Sequence, residues 1–343
     1  MEAPVTTTAD EAPAGGLERQ LTALPGWRAF VASTTRPPMA LLPRSAHLAL
    51  TRDEKQCYDD DRLDHHARLQ VVATSTVRRV VTCGRRLVIL NRGAISARRG
   101  LIVSGPANTG KTIALTQFGL AHELQDRRRH PGQDQRIPVL YITVPPAATP
   151  RMIAAEFARF LGLPILRRSN LTDLTEAVVG VCTQARTGLV LVDEIHNISL
   201  HTRTGADASD TLKYFSERIP ATFAYAGIGI EDGDLLSGTR GDQIAARFTS
   251  VATHPLPCSA EWQGLVAQME ANLRLHDHQS GSLSRLSTFL HTRTGGMIGT
   301  LSHQIRGAAV DAILSGSEKI TKKELLAVDL DIASHRSRPD RVR

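Results

Sequence analysis

This sequence predicts an α/β fold followed by an all-helical C-terminal part, on three observations. Short apolar runs alternate with helix-period segments between residues 100 and 256. The loop "GPANTGKT" joins the first of those runs to a helix. After Pro257 the strand signals stop, and every later segment has helical spacing. Repeated strand–helix alternation implies a parallel sheet covered by helices on both faces.

Composition sets the outer bounds. With 343 residues, 41% hydrophobic and 22% charged, the chain is ordinary for a globular protein and long enough for two domains. No apolar run approaches the ~18 residues of a membrane helix. The lead "MEAPVTTTADEAPAGG" has neither the basic start nor the apolar centre of a secretory signal, so a cytoplasmic location is expected. Cys57, Cys83, Cys182 and Cys258 lack metal or redox spacing and read as buried, reduced thiols. Forty-one basic against thirty-four acidic side chains leave a net charge of +7. That excess favours an acidic partner, nucleic acid first. Local basic runs point the same way: "RRVVTCGRR" (78–86), "SARRG" (96–100), "QDRRRH" (125–130) and "HRSRPDRVR" (335–343).

Four parts follow along the chain. Residues 1–57 read as a partly disordered, proline-bearing arm without a clear core. Residues 58–258 read as the α/β domain, 259–330 as a helical lid and 331–343 as a basic tail. Within the α/β domain, 74–92 carries apolar residues at helical spacing. Strands are expected at "LIVSG", "PVLYITV" (138–144), "GLVLVDE" (188–194), "TFAYAGIGI" (222–230) and "SVATHPL". The third has consecutive apolar positions, as a strand buried on both faces should. Helices are expected at "KTIALTQFGLAHEL", "PRMIAAEFARFLG", "LTDLTEAVVGVCTQA", "SDTLKYFSERI" and "GDQIAARF"; Pro150 opens the second of these and Gly162 lies near its end.

Gly105, Gly110, Lys111 and Thr112 fit G-x-x-x-x-G-K-[ST] between a strand and a helix, the context that pattern requires. The predicted phosphate cradle is Gly105, Pro106, Ala107, Asn108, Thr109, Gly110, Lys111, Thr112 and Ile113. Backbone N–H groups and the helix N-terminus face the phosphates there. Lys111 supplies a point charge for the β- and γ-phosphates, and Thr112 a hydroxyl for Mg²⁺. Asp193, at the end of a buried strand, is the second Mg²⁺ residue. Glu194 beside it is placed to deprotonate an attacking water, which favours hydrolysis over transfer to an acceptor. His196 and Asn197 read either as an exposed turn or as a relay from the γ-phosphate. Hydrolysis of this type also needs an arginine. Arg247, after "QIAA", is the first candidate for a residue reaching a neighbouring subunit's nucleotide, and Arg240 the second.

The order of phosphate loop, "DE" strand, fourth strand, "ARF" helix and helical lid resembles AAA+ P-loop ATPases. More narrowly, "LVLVDEIHNI", "TFAYAGI", "QIAARF" and "TGGMIGTLSHQIRGAA" resemble the TniB/TnsC group of transposition regulators over roughly residues 58–330. The resemblance implies a five-stranded parallel core with a C-terminal α-helical lid, with ATP and Mg²⁺ as ligands. It implies homo-oligomeric rings or filaments on double-stranded DNA, and recruitment of a transposase, expected to be of the integrase type. Two positions depart from the group. Ile228 stands where a polar sensor is usual on the fourth strand. Thr300 stands near where many lids carry an arginine, the nearest here being Arg306. Both departures imply slow, switch-like ATP use. A helicase loader or replication initiator, and a nucleotide-gated regulator that does not bind DNA, are the competing readings.

Overall fold

The computed structural model describes residues 20–35, 37, 39–69, 71–165, 170–199, 202–230 and 246–330. Its core is a five-stranded, all-parallel sheet built from β1 (Gly100–Ser104), β2 (Val139–Thr143), β3 (Leu189–Asp193), β4 (Thr222–Gly227) and β5 (Phe248–Ala252). The strand order is β2-β3-β4-β1-β5. β1 therefore lies between β4 and β5, with Leu101 level with Ala224 and Thr249. Every residue of β1, β3 and β4 is buried, which is why these strands read as unbroken apolar runs. β5 has one covered neighbour and keeps Thr249 and Ser250 exposed.

Helices α1 (Leu24–Ser33), α2 (Arg44–Leu48), α3 (Arg52–Ala67) and α4 (Ser75–Asn91) precede β1. Thr51 and Glu54 open α3 with a capping box, and the Thr74 hydroxyl accepts from Val77 N–H to start α4. α5 (Lys111–Arg129) follows β1; α6 (Pro150–Leu161) and α7 (Leu171–Gln184) separate β2 from β3; α8 (Arg203–Arg218) leads to β4. α4 and α5 pack on each other and on β1 and β4. α6 packs on β2 and against α7 and α8, with Phe157 and Phe215 rings stacked at 4.3 Å. Trp27 of α1 is fully buried in this core, where Gly119 leaves it room: a Cβ there would sit 2.6 Å from the indole. The stretch expected as an arm thus contributes a core residue, a long-range contact that the proline-rich composition around it does not signal.

The lid has its own core, from Leu256 to Val328. It contains α9 (Ala260–Ala271), α10 (Ser282–Arg285), α11 (Ser287–Thr294), α12 (Ile298–Leu314) and α13 (Lys322–Ala327). α3 packs against α12, so the expected boundary at 57/58 falls inside a helix that touches the lid. Arg62 of α3 is completely buried and donates to both Glu318 oxygens, at 2.7 and 2.8 Å, and to Asp59. Losing one partner of such a buried pair costs about 3–5 kcal/mol.

Some expectations shift. Strand β4 stops at Gly227, before Ile228. Of the "GDQIAARF" stretch, residues 241–245 lie outside the described residues, and Ala246–Arg247 form a turn into β5. Arg240 and the basic run 335–343 also lie outside them. No described cysteine is paired, but only Cys182 is buried, its thiol pushed up to about 12 by that burial; Cys57 and Cys258 are exposed. No helix among the described residues is long and apolar enough to cross a membrane.

Candidate active site

The C-terminal edge of the sheet brings most of the predicted residues together. The phosphate loop leaves β1 through Gly105 at φ +154°, where a Cβ would stand 2.1 Å from Thr253 O. Only glycine fits that approach. Asn108 and Gly110 also hold positive φ, at +61° and +87°, so the loop curls before α5 begins at Lys111. Thr253, just beyond β5, braces the curl. Its N–H donates to Ser104 O at 2.6 Å, and its hydroxyl lies 2.7 Å from that of Thr109. Thr109 in turn donates to Pro106 O at 2.7 Å. These bonds leave the first N–H groups of α5 without helical partners, the geometry that receives an anion.

Lys111 is buried, and its ammonium donates to Pro106 O at 2.6 Å. Burial lowers its pKa, and the charges of Glu194 and Asp193 partly oppose that shift. The Thr112 hydroxyl donates to Asp193 Oδ2 at 2.7 Å, across the two strands β1 and β3 that flank β4. Asp193 is fixed from two further sides: Tyr141 O–H donates to Oδ2 at 3.1 Å, and Glu194 N–H donates to Oδ1 at 2.8 Å. The Tyr141 hydroxyl is held neutral, its pKa raised by burial and then by the Asp193 charge. A hydroxyl and a carboxylate at hydrogen-bond distance are hard oxygen donors of the kind Mg²⁺ uses together with phosphates. Thr112 and Asp193 therefore fit the metal that the motif implies.

Glu194 sits at φ +56°, a left-handed backbone that costs a non-glycine residue about 1–3 kcal/mol. Its carboxylate is partly exposed and lies 3.3 Å from His196 Nε2. Asn197 donates to Val144 O at 2.8 Å, which pins the short turn Ile195–Asn197 to the end of β2. His196 and Asn197, ambiguous in the sequence, thus have different partners: one meets Glu194, the other the backbone.

The lid closes on the loop. The Gly299 N–H, in the first turn of α12, donates to Asn108 O at 3.0 Å. Thr300 is buried beside it. Arg306 is committed elsewhere, donating to His66 O at 2.7 Å and to Ala67 O at the end of α3. Arg247 is not brought to this edge at all. Its carbonyl accepts from Gly100 N–H at the opposite end of β1, about 13 Å away at strand rise. There the guanidinium is 42% exposed and 3.7 Å from Glu217, on the rim of a cavity of about 340 Å³ that Arg98 and Arg99 also line. Sequence reasoning missed Tyr141, Thr253 and Gly299; no local pattern marks residues that meet the loop only through the fold.

The profile of the bacterial TniB protein family matches residues 69–256, more than half of the chain. The chain belongs to the bacterial TniB family. No curated protein matches it significantly. Solved structures similar to this TniB-family chain include Aeropyrum pernix ORC2 in ADPNP–ADP complexes, with TM-score 0.58 at 14% identity over 75% of this chain and 67% of that one. Aeropyrum pernix ORC1 in complex with DNA gives 0.56 at 14%, over 76% and 65%. Drosophila ORC bound to DNA gives 0.51 at 14%, over 88% and 71%. The TniB-family chain spans about two thirds of each of these. At such identities the likeness establishes the fold, that of an AAA+ P-loop ATPase.

Proposed function

We propose that this chain is an ATP-dependent, DNA-binding regulator of transposition. It binds ATP with Mg²⁺, assembles as a homo-oligomer on double-stranded target DNA, and recruits or activates an integrase-type transposase. Slow hydrolysis to ADP and phosphate releases the assembly. The observation that carries this reading is the hydrogen-bonded set of Thr112, Asp193 and Glu194, with Lys111 held on Pro106 O of the same loop, inside a TniB-family match.

The geometry supports the following chemistry. Lys111 and the N–H groups of 105–113 bind and orient the phosphates. Thr112 and Asp193 would hold Mg²⁺, which would supply charge to offset that of the phosphates. Glu194 accepts the proton of the attacking water. Arg247 is too far from its own loop to reach its own nucleotide, and supplies positive charge to a neighbour's γ-phosphate in the assembly. The DNA reading draws on charge placement: α4 exposes Arg78 and Arg85 two turns apart, with Arg79 and Arg86 beside them. A stripe of four arginines suits phosphates rather than base edges.

Binding of a labelled duplex by the full chain with ATP, over a range of salt, tests this reading. Affinity should fall steeply with salt, by about 0.9 logarithmic units per decade for each phosphate neutralised. Arg78→Ala combined with Arg85→Ala should flatten that slope by about 2. An affinity indifferent to salt would move weight to a regulator that leaves DNA alone. The likeness to ORC proteins favours a second reading, a loader or initiator. Insertion assays with an integrase-type transposase discriminate: stimulation by ATP and this chain is expected, and its absence favours the loader.

A further inference from the structure

His196 makes two contacts whose directions are set by chemistry. The Ile228 N–H points at Nδ1 from 3.3 Å. An amide only donates, so Nδ1 accepts and the neutral ring carries its proton on Nε2. That Nε2–H lies 3.3 Å from Glu194 Oε2, a close charge contact. The ring therefore stands between the Glu194 carboxylate, in charge contact, and the backbone just past β4, to which it is hydrogen-bonded.

The surroundings are shaped for that bridge. A Cβ at Gly227 would stand 3.1 Å from His196 N, 3.2 Å from Nδ1 and 3.0 Å from Ile195 Cγ2, so glycine there leaves space for the ring. The turn carrying His196 is fixed by Asn197 N–H donating to Glu194 O at 3.0 Å and by the Asn197 side chain on Val144 O. Ile230 N–H donates to Ser104 Oγ at 3.0 Å, at the end of the strand that feeds the phosphate loop. A continuous chain of contacts runs from Ser104 through residues 228–230 and His196 to Glu194.

We propose that His196 is a positioning residue that couples the end of β4 to Glu194, supplying through its ring the polar link that the Ile228 side chain cannot. The proposal rests on the reading of Glu194 as the residue that activates water. Asparagine and glutamine separate the two contacts: asparagine keeps an acceptor near Nδ1, and glutamine a donor near Nε2. The test compares wild type with His196→Ala, His196→Asn, His196→Gln and Glu194→Gln in the full chain. The readouts are kcat, ATP affinity, hydrogen exchange of the Ile228 amide and ¹⁵N shifts of the imidazole.

The wild-type ring should show an unprotonated Nδ1 and a protonated Nε2. His196→Ala should lower kcat by roughly 10–100-fold, the scale of a misplaced reacting group, with ATP affinity unchanged. Exchange at Ile228 should accelerate in His196→Ala and His196→Gln but not in His196→Asn. His196→Gln should recover more rate than His196→Asn. A proton on Nδ1, or wild-type kcat in His196→Ala while Glu194→Gln is inactive, overturns the proposal. Should Glu194→Gln hydrolyse normally, the reading of Glu194 fails and the coupling to catalysis falls with it. The exchange and ¹⁵N patterns still decide whether the bridge exists.

Discussion

The two ends of β1 are built on opposite terms. At its C-terminal end, Ser104, Gly105, Thr109, Thr112, Asp193 and Thr253 satisfy one another within a few ångströms. At its N-terminal end, Arg247 is half exposed and, among the described residues, has one loose ion pair, 3.7 Å from Glu217. An exposed pair of that kind contributes little, typically below about 1 kcal/mol. The first end is bonded within one chain; at the second, the described residues give the charge one weak partner. On the proposed reading, binding belongs to the single chain and hydrolysis to the assembly.

The largest test of that contrast is Arg247→Ala. It should bind ATP normally yet hydrolyse poorly in the assembled state. Arginine fingers are worth roughly 10³–10⁵ in rate where hydrolysis is fast, and the low end applies here because β4 leads into an apolar Ile228. Mixing it with Lys111→Ala should restore part of the ATPase rate, each variant supplying the half that the other lacks. No recovery on mixing, with normal assembly of Arg247→Ala, removes Arg247 from the shared site and turns attention to Arg240. Next in size is Glu194→Gln, which should keep ATP binding, lose roughly 10²–10⁴ in kcat, and accumulate the ATP-bound assembly in light scattering. A normal rate would make the acidic pair structural.

Lys111→Ala should weaken ATP binding by roughly 10–150-fold, the value of a hydrogen bond to a charged group. Titration calorimetry showing near wild-type affinity would sink the site assignment. The smallest expected effect lies away from both ends. Burial holds His66 and His122 neutral, each with its pKa lowered from 6.5 to about 4. Below pH 6.5 the unfolded chain gains protons that the folded chain refuses. Stability should therefore fall from about pH 6.5 down to about pH 4, by at most about 3 kcal/mol per histidine. A melting temperature flat across that window would show that these rings are hydrated in solution.

Part of this molecule was legible before its structure. The strand runs, the phosphate loop and the Asp193–Glu194 pair announce themselves because backbone geometry and local chemistry constrain neighbours in sequence. β3 reads as buried on both faces because it is, and Gly110 precedes Lys111 because a left-handed turn must open α5. Even the departures at Ile228 and Thr300 are visible as residue types in a pattern. Helix starts are less so: α8 begins at Arg203, six residues before its apolar stripe becomes regular, because the Thr202 cap sets the start and not the stripe.

What only the tertiary structure decided depends on separations that sequence does not encode. Trp27 enters a core whose glycine, Gly119, lies ninety-two residues away, and Arg62 finds Glu318 across 256. His196 acquires its contacts with Gly227 and Ile228 because β3 and β4 are neighbours in the sheet. Arg306 looks available in the sequence and is used by α3 in the fold. The placement of Arg247 opposite its own phosphate loop follows from the parallel order β4-β1-β5, which puts the start of β5 at the far end from the end of β1. Short-range patterns fix which groups can do chemistry, because each turn or strand is a local minimum. Which of those groups meet is settled by how the sheet orders its strands, since only packing pays the entropy of closing long loops.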